Sequence, residues 1–349
     1  MVRPCRTPTG GSNSTLPPNS EWYWRFNVLK AEILVWQHLD DQSLALNQPD
    51  LPPSLATSDL AVWRRLSQAV ASAYVHRLPD ARRYLDEAEA MAEAHHAELL
   101  GQVALRRGTV LFGDGAVSDA ESAYHRALLL AREEKNPFLE AAALGSLGVV
   151  TAKQQHYDQS LDWNRAALQL SRSIGAESSV ARVLGNMGWS FLELGDDDNA
   201  LENYRQAEEA ARRNGQIGDE LYWRTGIAAV YHLERDYRSA EAVLKQALDQ
   251  VRRQDDKSIA SEYLNELSEL ALETGNWAAA EGVFKGSGGS CAIGWRPDRG
   301  ARHHVDLWAH RRNQGALQRG GEPAPRPNHR PKSAHGATMG SGCALGHAI

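Results

Sequence analysis

Cysteine is scarce, with only Cys5, Cys291 and Cys343 in a chain of 349 residues. They are far apart and share no metal-ligand spacing, so neither a disulfide framework nor a cysteine-ligated metal is expected, and a reducing, cytoplasmic compartment is the default. Runs of about 18 apolar residues are missing, which argues against a helical membrane span. The first twenty residues hold no apolar stretch of the kind a secretory signal needs. Strand-like alternation is also absent. Catalytic and ligand motifs fare no better. Gly113-Asp114-Gly115 lacks the Lys-Ser/Thr context of a phosphate loop. Asp196-Asp197-Asp198 lacks the alternating ligands, the Gly and the distal Glu of a calcium loop, and reads as helix capping. His95-His96 and His303-His304 are adjacent pairs, which do not face one another on a helix. No metal, no cofactor and no catalytic residue are expected.

What is present is a repeat. Gly108, Gly148, Gly188, Ala228 and Ser268 recur every 40 residues. Twelve residues after each comes Ala120, Ser160, Ala200, Ala240 or Ala280. Four further on stand Tyr124, Asn164, Tyr204, Leu244 and Phe284, and three beyond those Ala127, Ala167, Ala207 and Ala247. A weaker copy, shifted by one, carries Ala69, Ala81, Leu85 and Ala88. Each repeat reads as two helices. Val180, Val183, Leu184, Met187 and Phe191 fall at helical spacing on the first helix of one repeat, and Ala200, Leu201, Tyr204, Ala207 and Ala211 on its second. Gly195 suits a left-handed C-cap between them. Ser118-Asp119-Ala120-Glu121 has the form of a capping box. Antiparallel helices approach closely only where side chains are short, so Gly188 and Ala200 mark the expected point of contact, with Tyr204 and Phe191 beside it. One pair cannot bury its apolar face alone; stacked pairs share a core.

Leu147-Gly148, Ser160, Asn164 and Ala167, and the copy Met187-Gly188, Phe191, Ala200, Tyr204 and Ala207, resemble the tetratricopeptide repeat. The resemblance covers about residues 60–285. It implies an all-α, right-handed superhelical solenoid of antiparallel helix pairs. The usual repeat has about 34 residues, so the extra six imply longer helices or a longer connection, as in the long repeats of kinesin light chains and bacterial signalling proteins.

The ends differ from the middle. Residues 1–20 are expected to be disordered, and 21–58 to form a helical N-terminal cap followed by a Pro-rich linker, with Trp22, Phe26, Leu29, Ile33 and Trp36 at helical spacing. The solenoid is expected over 59–285, with its last repeat incomplete. Residues 286–349 hold 12 of the 29 Gly, 9 of the 38 Lys+Arg and only 3 of the 44 Asp+Glu. Such a basic Gly/Pro/Arg/His-rich tail is expected to be disordered. It has the composition of a natural tail or of GC-rich DNA read out of frame. The body then carries 38−9 = 29 basic and 44−3 = 41 acidic residues, a net of −12, which argues against nucleic-acid binding by the solenoid.

In tetratricopeptide arrays the first helices line a concave face where extended peptides bind. Carried over by repeat position, the resemblance implies a partner-binding groove of Lys153, Arg182, Asn186, Trp189, Glu193, Tyr222 and His232. Trp189 stands where other repeats have Thr109, Val149 and Ala229, so packing does not demand a large ring there. The implied function is a non-catalytic scaffold for a protein or peptide partner. The alternative is the regulatory or sensor half of a larger bacterial enzyme whose effector is missing, such as a CHAT-type caspase-like protease, whose N-terminal repeat region this chain loosely resembles.

Overall fold

The computed structural model describes residues 17, 20–36, 39–253 and 257–276. The expected disorder of the tail and the incomplete second helix of the last repeat lie outside these residues, as does nearly all of 1–20. The chain divides into two compact units at the Ser179–Val180 boundary. Among the described residues all regular structure is helical. The first unit holds α1 (Glu21–Trp36), α2 (Asp40–Leu46), α3 (Asp59–Tyr74), α4 (Leu78–His95), α5 (Leu100–Gly113), α6 (Val117–Glu133), α7 (Pro137–Lys153) and α8 (Tyr157–Ser173). Helix α9 (Glu177–Leu194) begins at its last residues and belongs mostly to the second unit, which continues with α10 (Asp197–Arg213), α11 (Ile217–Leu233), α12 (Tyr237–Arg253) and α13 (Lys257–Glu273).

In the first unit, α3 packs on α4, α5 on α6 and α7 on α8, while α3 also meets α5 and α5 meets α7. In the second, α10 packs on α11, α11 on α12 and α12 on α13. Short connections force consecutive helices to run antiparallel, which is the expected all-α arrangement of stacked pairs.

The 40-residue period resolves into two nearly equal halves. Helices α6, α7, α8, α10, α11 and α12 are each 17 residues long. Left-handed residues close the helices at 20-residue steps: Gly115, Lys135, Gln155 and Gly175, then Gly195, Gly215 and Arg235, with φ between 54° and 81°. Each turn carries the same two hydrogen bonds. Asn136 N–H donates to Ala131 O at 2.8 Å and Lys135 N–H to Arg132 O at 3.2 Å, the pattern of a Schellman C-cap. The residues beyond the usual repeat length therefore lie in the helices and not in the connections. Asn136, Asp196 and Asp236 then cap the next helices, accepting from the N–H of Leu139, Asn199 and Ser239 at 3.1, 3.2 and 3.1 Å. The capping box expected at Ser118 does not form. The turn at Gly115 makes Ala116 the N-cap, so Ser118 already lies inside α6.

The repeat positions read from the sequence are the core. Ala69, Ala81, Leu85 and Ala88 are buried in the first unit with Val62, Leu66, Val103 and Val110. Ala240, Leu244, Ala247 and Leu248 are buried in the second with Leu221, Ala228, Tyr263 and Leu267. The contact expected between Gly188 and Ala200 is sharper than that: Tyr204, sixteen residues after Gly188, lays its ring on the glycine. A Cβ built on Gly188 would stand 2.9 Å from ring carbon Cδ1. The pairs Gly108–Tyr124 and Gly148–Asn164 repeat that arrangement.

Residues 21–36 form the helix that the spacing implied, with the aromatic stripe turned outward: Trp22, Phe26, Leu29 and Ile33 are 72, 43, 56 and 47% exposed. The buried face carries Asn27, Val28, Ala31, Leu34 and Val35 instead. The side chain of Trp36 lies outside the described residues. Helix α1 is held through α2 and α3 by a buried polar knot. Arg64, 5% exposed, donates to Asn47 O at 2.7 Å and Pro49 O at 2.8 Å, closing the C-terminal end of α2. Gln68 adds a bond to the same Asn47 carbonyl at 3.0 Å, and Ser43 Oγ donates to Ala31 O at 2.9 Å.

Candidate functional site

Of the seven residues expected to line a groove, six belong to the second unit. Arg182, Asn186, Trp189 and Glu193 succeed one another on α9 at steps of four, three and four residues, which places them along one helix face. Tyr222 and His232 lie on α11. Lys153 is exposed at the C-terminal end of α7, in the first unit.

Within the second unit these residues do different things. Trp189 is half-buried, and its indole N–H donates to Glu193 Oε1 at 2.9 Å. That bond fixes the ring and leaves part of its surface open. Arg182 and Tyr222 are half-buried as well. Tyr222 sets its edge against the Trp223 ring, with centroids 4.8 Å apart and planes at 69°. His232 is turned to α13, where its Nε2 lies 2.7 Å from Glu273 Oε2. Asn186 is only 8% exposed, so it sits under the face and not on it.

The supporting layer was read in the sequence only in part, as Tyr204 beside Gly188. Tyr204 of α10 is 5% exposed and is met by glycines from two helices, Gly188 on α9 and Gly226 on α11. Burial raises its phenol pKa. Trp223 stacks on it at 6.4 Å and 27°, and itself fills the space above Gly185. Arg224 joins three helices, with Nε to Glu208 at 2.8 Å, Nη1 to Gln250 at 2.6 Å and Nη2 to Glu220 at 2.7 Å. The signal for the aromatic wedge was available: Gly188 and Tyr204 keep the sixteen-residue offset of Gly108 and Tyr124. Nothing in the pattern marks Arg224, because its acceptors come from three different helices.

Chemically, this face of α9 offers a fixed aromatic ring, a guanidinium and a carboxylate, and α11 adds a second, half-buried aromatic. Such groups hold apolar and polar side chains by contact and hydrogen bonding. Among the described residues no group of three or more His, Cys, Asp or Glu is arranged to hold a metal ion. No described helix is long and apolar enough to cross a membrane. Burial raises the Glu234 carboxyl pKa, with Asp197, Asp198 and Asp236 adding to the effect.

Comparison with known proteins adds the family pattern. Residues 139–213 match the tetratricopeptide repeat model. No curated protein matches the sequence. Among solved structures, a Rap protein complexed with competence and sporulation factor aligns with a TM-score of 0.56 at 15% identity, over 76% of each chain. The signal transduction ATPase with a tetratricopeptide repeat sensor from Pyrococcus horikoshii gives 0.55 at 14% identity, over 77% of this chain and 42% of that one. The quorum sensor NprR from B. thuringiensis gives 0.50 at 12%, over 76% and 86%. At such identities the likeness is one of fold. Likeness to CHAT-type proteases is not shown.

Proposed function

We propose that this chain of tetratricopeptide-like helix pairs is a non-catalytic scaffold, and that it binds a peptide or protein partner on the face of its first helices, the concave groove of such arrays. The observation that carries the reading is Trp189. The core gives that position no need of a large ring, and the structure leaves the ring half-open while Glu193 holds it in one orientation. A pre-oriented aromatic with an Arg two turns away on the same helix face is the composition of an interface anchor, since little rotamer entropy is lost when a partner docks. The fold neighbour solved with competence and sporulation factor is a precedent for this use of the architecture. Arg182, Tyr222 and His232 are the further groove residues proposed in the second unit, with Asn186 supporting the face from below.

The test is capture of a purified partner by the full chain and by Trp189→Ala and Arg182→Ala. Each substitution is expected to weaken capture at least about tenfold while leaving helicity unchanged. Unaltered capture by both variants would remove the groove assignment.

A second reading has one observation in its favour. The Pyrococcus horikoshii neighbour carries its repeat array as the sensor of a larger ATPase, and this chain spans 42% of it. In that reading the same face receives a signal for an effector domain on the same polypeptide.

A further inference from the structure

The outward stripe of α1 is the least explained surface of the first unit. Trp22, Phe26, Leu29 and Ile33 are 72, 43, 56 and 47% exposed, so no described residue covers them. They do not scatter around the helix. Their spacing is four, three and four residues, and Trp36 continues the series in sequence at three more. A 4-3-4-3 pattern is the a/d seam of a coiled coil, narrower than the face that packs a helix onto a globular core. The opposite face of α1 already does that packing, through Val28, Ala31, Leu34 and Val35.

We propose that this stripe is a homodimer seam, filled by α1 of a second copy running antiparallel. The choice of a second copy and the choice of direction both rest on the residues flanking the seam. Arg25 and Glu32 lie along one edge; Tyr23 and Lys30 lie along the other. In an antiparallel pair with Phe26 opposite Leu29 and Trp22 opposite Ile33, the edge residues meet their own kind of edge. Arg25 then faces Glu32 of the second copy, twice over, and Lys30 faces Tyr23. In a parallel pair the heptad brings Arg25 against Lys30, which repels. The sequence of α1 is thus complementary to itself in one direction only.

The edge charges already have partners within the chain and would share them across the seam. Arg25 is tied to Glu21 at 2.7 Å and to Asp59 at 3.0 Å, and Glu32, 22% exposed, lies 3.9 Å from Arg106. The four exposed side chains present roughly 400–500 Å² of apolar surface, so a pair buries on the order of 900 Å² or more. That is below the standard size of a specific interface, so the dimer is expected to be weak and concentration-dependent.

Sedimentation velocity on the full chain, from about 1 to 100 μM, reads the association directly. A concentration-dependent dimer is expected. Phe26→Glu with Ile33→Glu, which changes only exposed positions, is expected to give a monomer of unchanged helical circular dichroism. Direction is read by disulfide cross-linking after Cys5, Cys291 and Cys343 are replaced by Ser. Leu29→Cys lies beside the two-fold axis and is expected to cross-link to its own copy. Trp22→Cys lies eleven residues from its facing position, about 16 Å along the helix from its own copy, and is expected not to. A chain that stays monomeric throughout overturns the proposal, whatever else covers the stripe. So does a dimer that survives the double substitution. Equal cross-linking at both positions overturns the antiparallel arrangement.

Discussion

Gly226→Ala is a substitution for which helix propensity and packing predict opposite signs. In an open helix interior, replacing Gly by Ala stabilises by about 1 kcal/mol. At Gly226 the new Cβ would stand 2.7 Å from Cε1 of Tyr204. Ordinary contact begins near 3.4 Å, so the ring must retreat by about 0.7 Å. It has little room to do so, because Gly188 of α9 meets the same ring atoms and Trp223 stacks on it. Overpacking of this kind costs about 1–3 kcal/mol, and the blocked retreat places this site in the upper half. The net expectation is a loss of about 1–2 kcal/mol. The control is Gly218→Ala on the same helix, where a Cβ would meet nothing within 4 Å, and where a gain of up to about 1 kcal/mol is expected. Urea unfolding followed by circular dichroism reads both. Adding Tyr204→Leu to Gly226→Ala should recover part of the loss, with a coupling of at least about 1 kcal/mol. Stabilisation by Gly226→Ala equal to that by Gly218→Ala would refute the wedge.

Three further outcomes follow from the structure. Gln155, Lys135 and Arg235 hold φ of 67°, 54° and 63°, so each replacement by Gly should raise the unfolding free energy by about 0.5–1 kcal/mol, whereas Gly195→Ala at φ 77° should lower it by a similar amount, as read by urea unfolding. Arg64→Ala should cost about 2–3 kcal/mol and speed amide exchange in α2, because the carbonyls of Asn47 and Pro49 lose their buried donor. Asp40 is 9% exposed, its Oδ1 lacks a hydrogen-bond partner, and burial pushes its carboxyl pKa up to about 6. The folded state therefore favours the protonated acid. Its contribution is fully present below the unfolded value near 4 and is lost as the pH rises through 6. Asp40→Asn should raise stability by about 1–2 kcal/mol at pH 7.5 and change it little at pH 4, as measured by urea midpoints at the two pH values.

The 40-residue period was legible because several small positions recur in fixed register, and packing two helices demands small residues there. The 20-residue half-period was not. Its mark is the left-handed turn residue, and at positions 135, 155 and 235 that residue is Lys, Gln and Arg, which carry no turn signal. The caps at Asn136 and Asp236 were hidden for the same reason, since they follow a turn without a glycine. In helix α1 the spacing gave the helix but not which face is buried, because both faces are apolar; the smaller Val28–Ala31–Val35 face took the core. At the candidate site, repeat position placed Arg182, Trp189 and Glu193 on one face of α9. Depth was not legible: Asn186 shares that face by angle, yet its neighbours close over it.

The proposed role rests on which surface a partner touches, and site-specific photo-crosslinking reads that surface. A benzoylphenylalanine at position 189 replaces the half-open ring of α9, and one at position 206 replaces exposed Gln206 on α10. With a purified partner, the account predicts cross-links from 189 and none from 206. Cross-links from 206 alone would place binding on the second helices and contradict it.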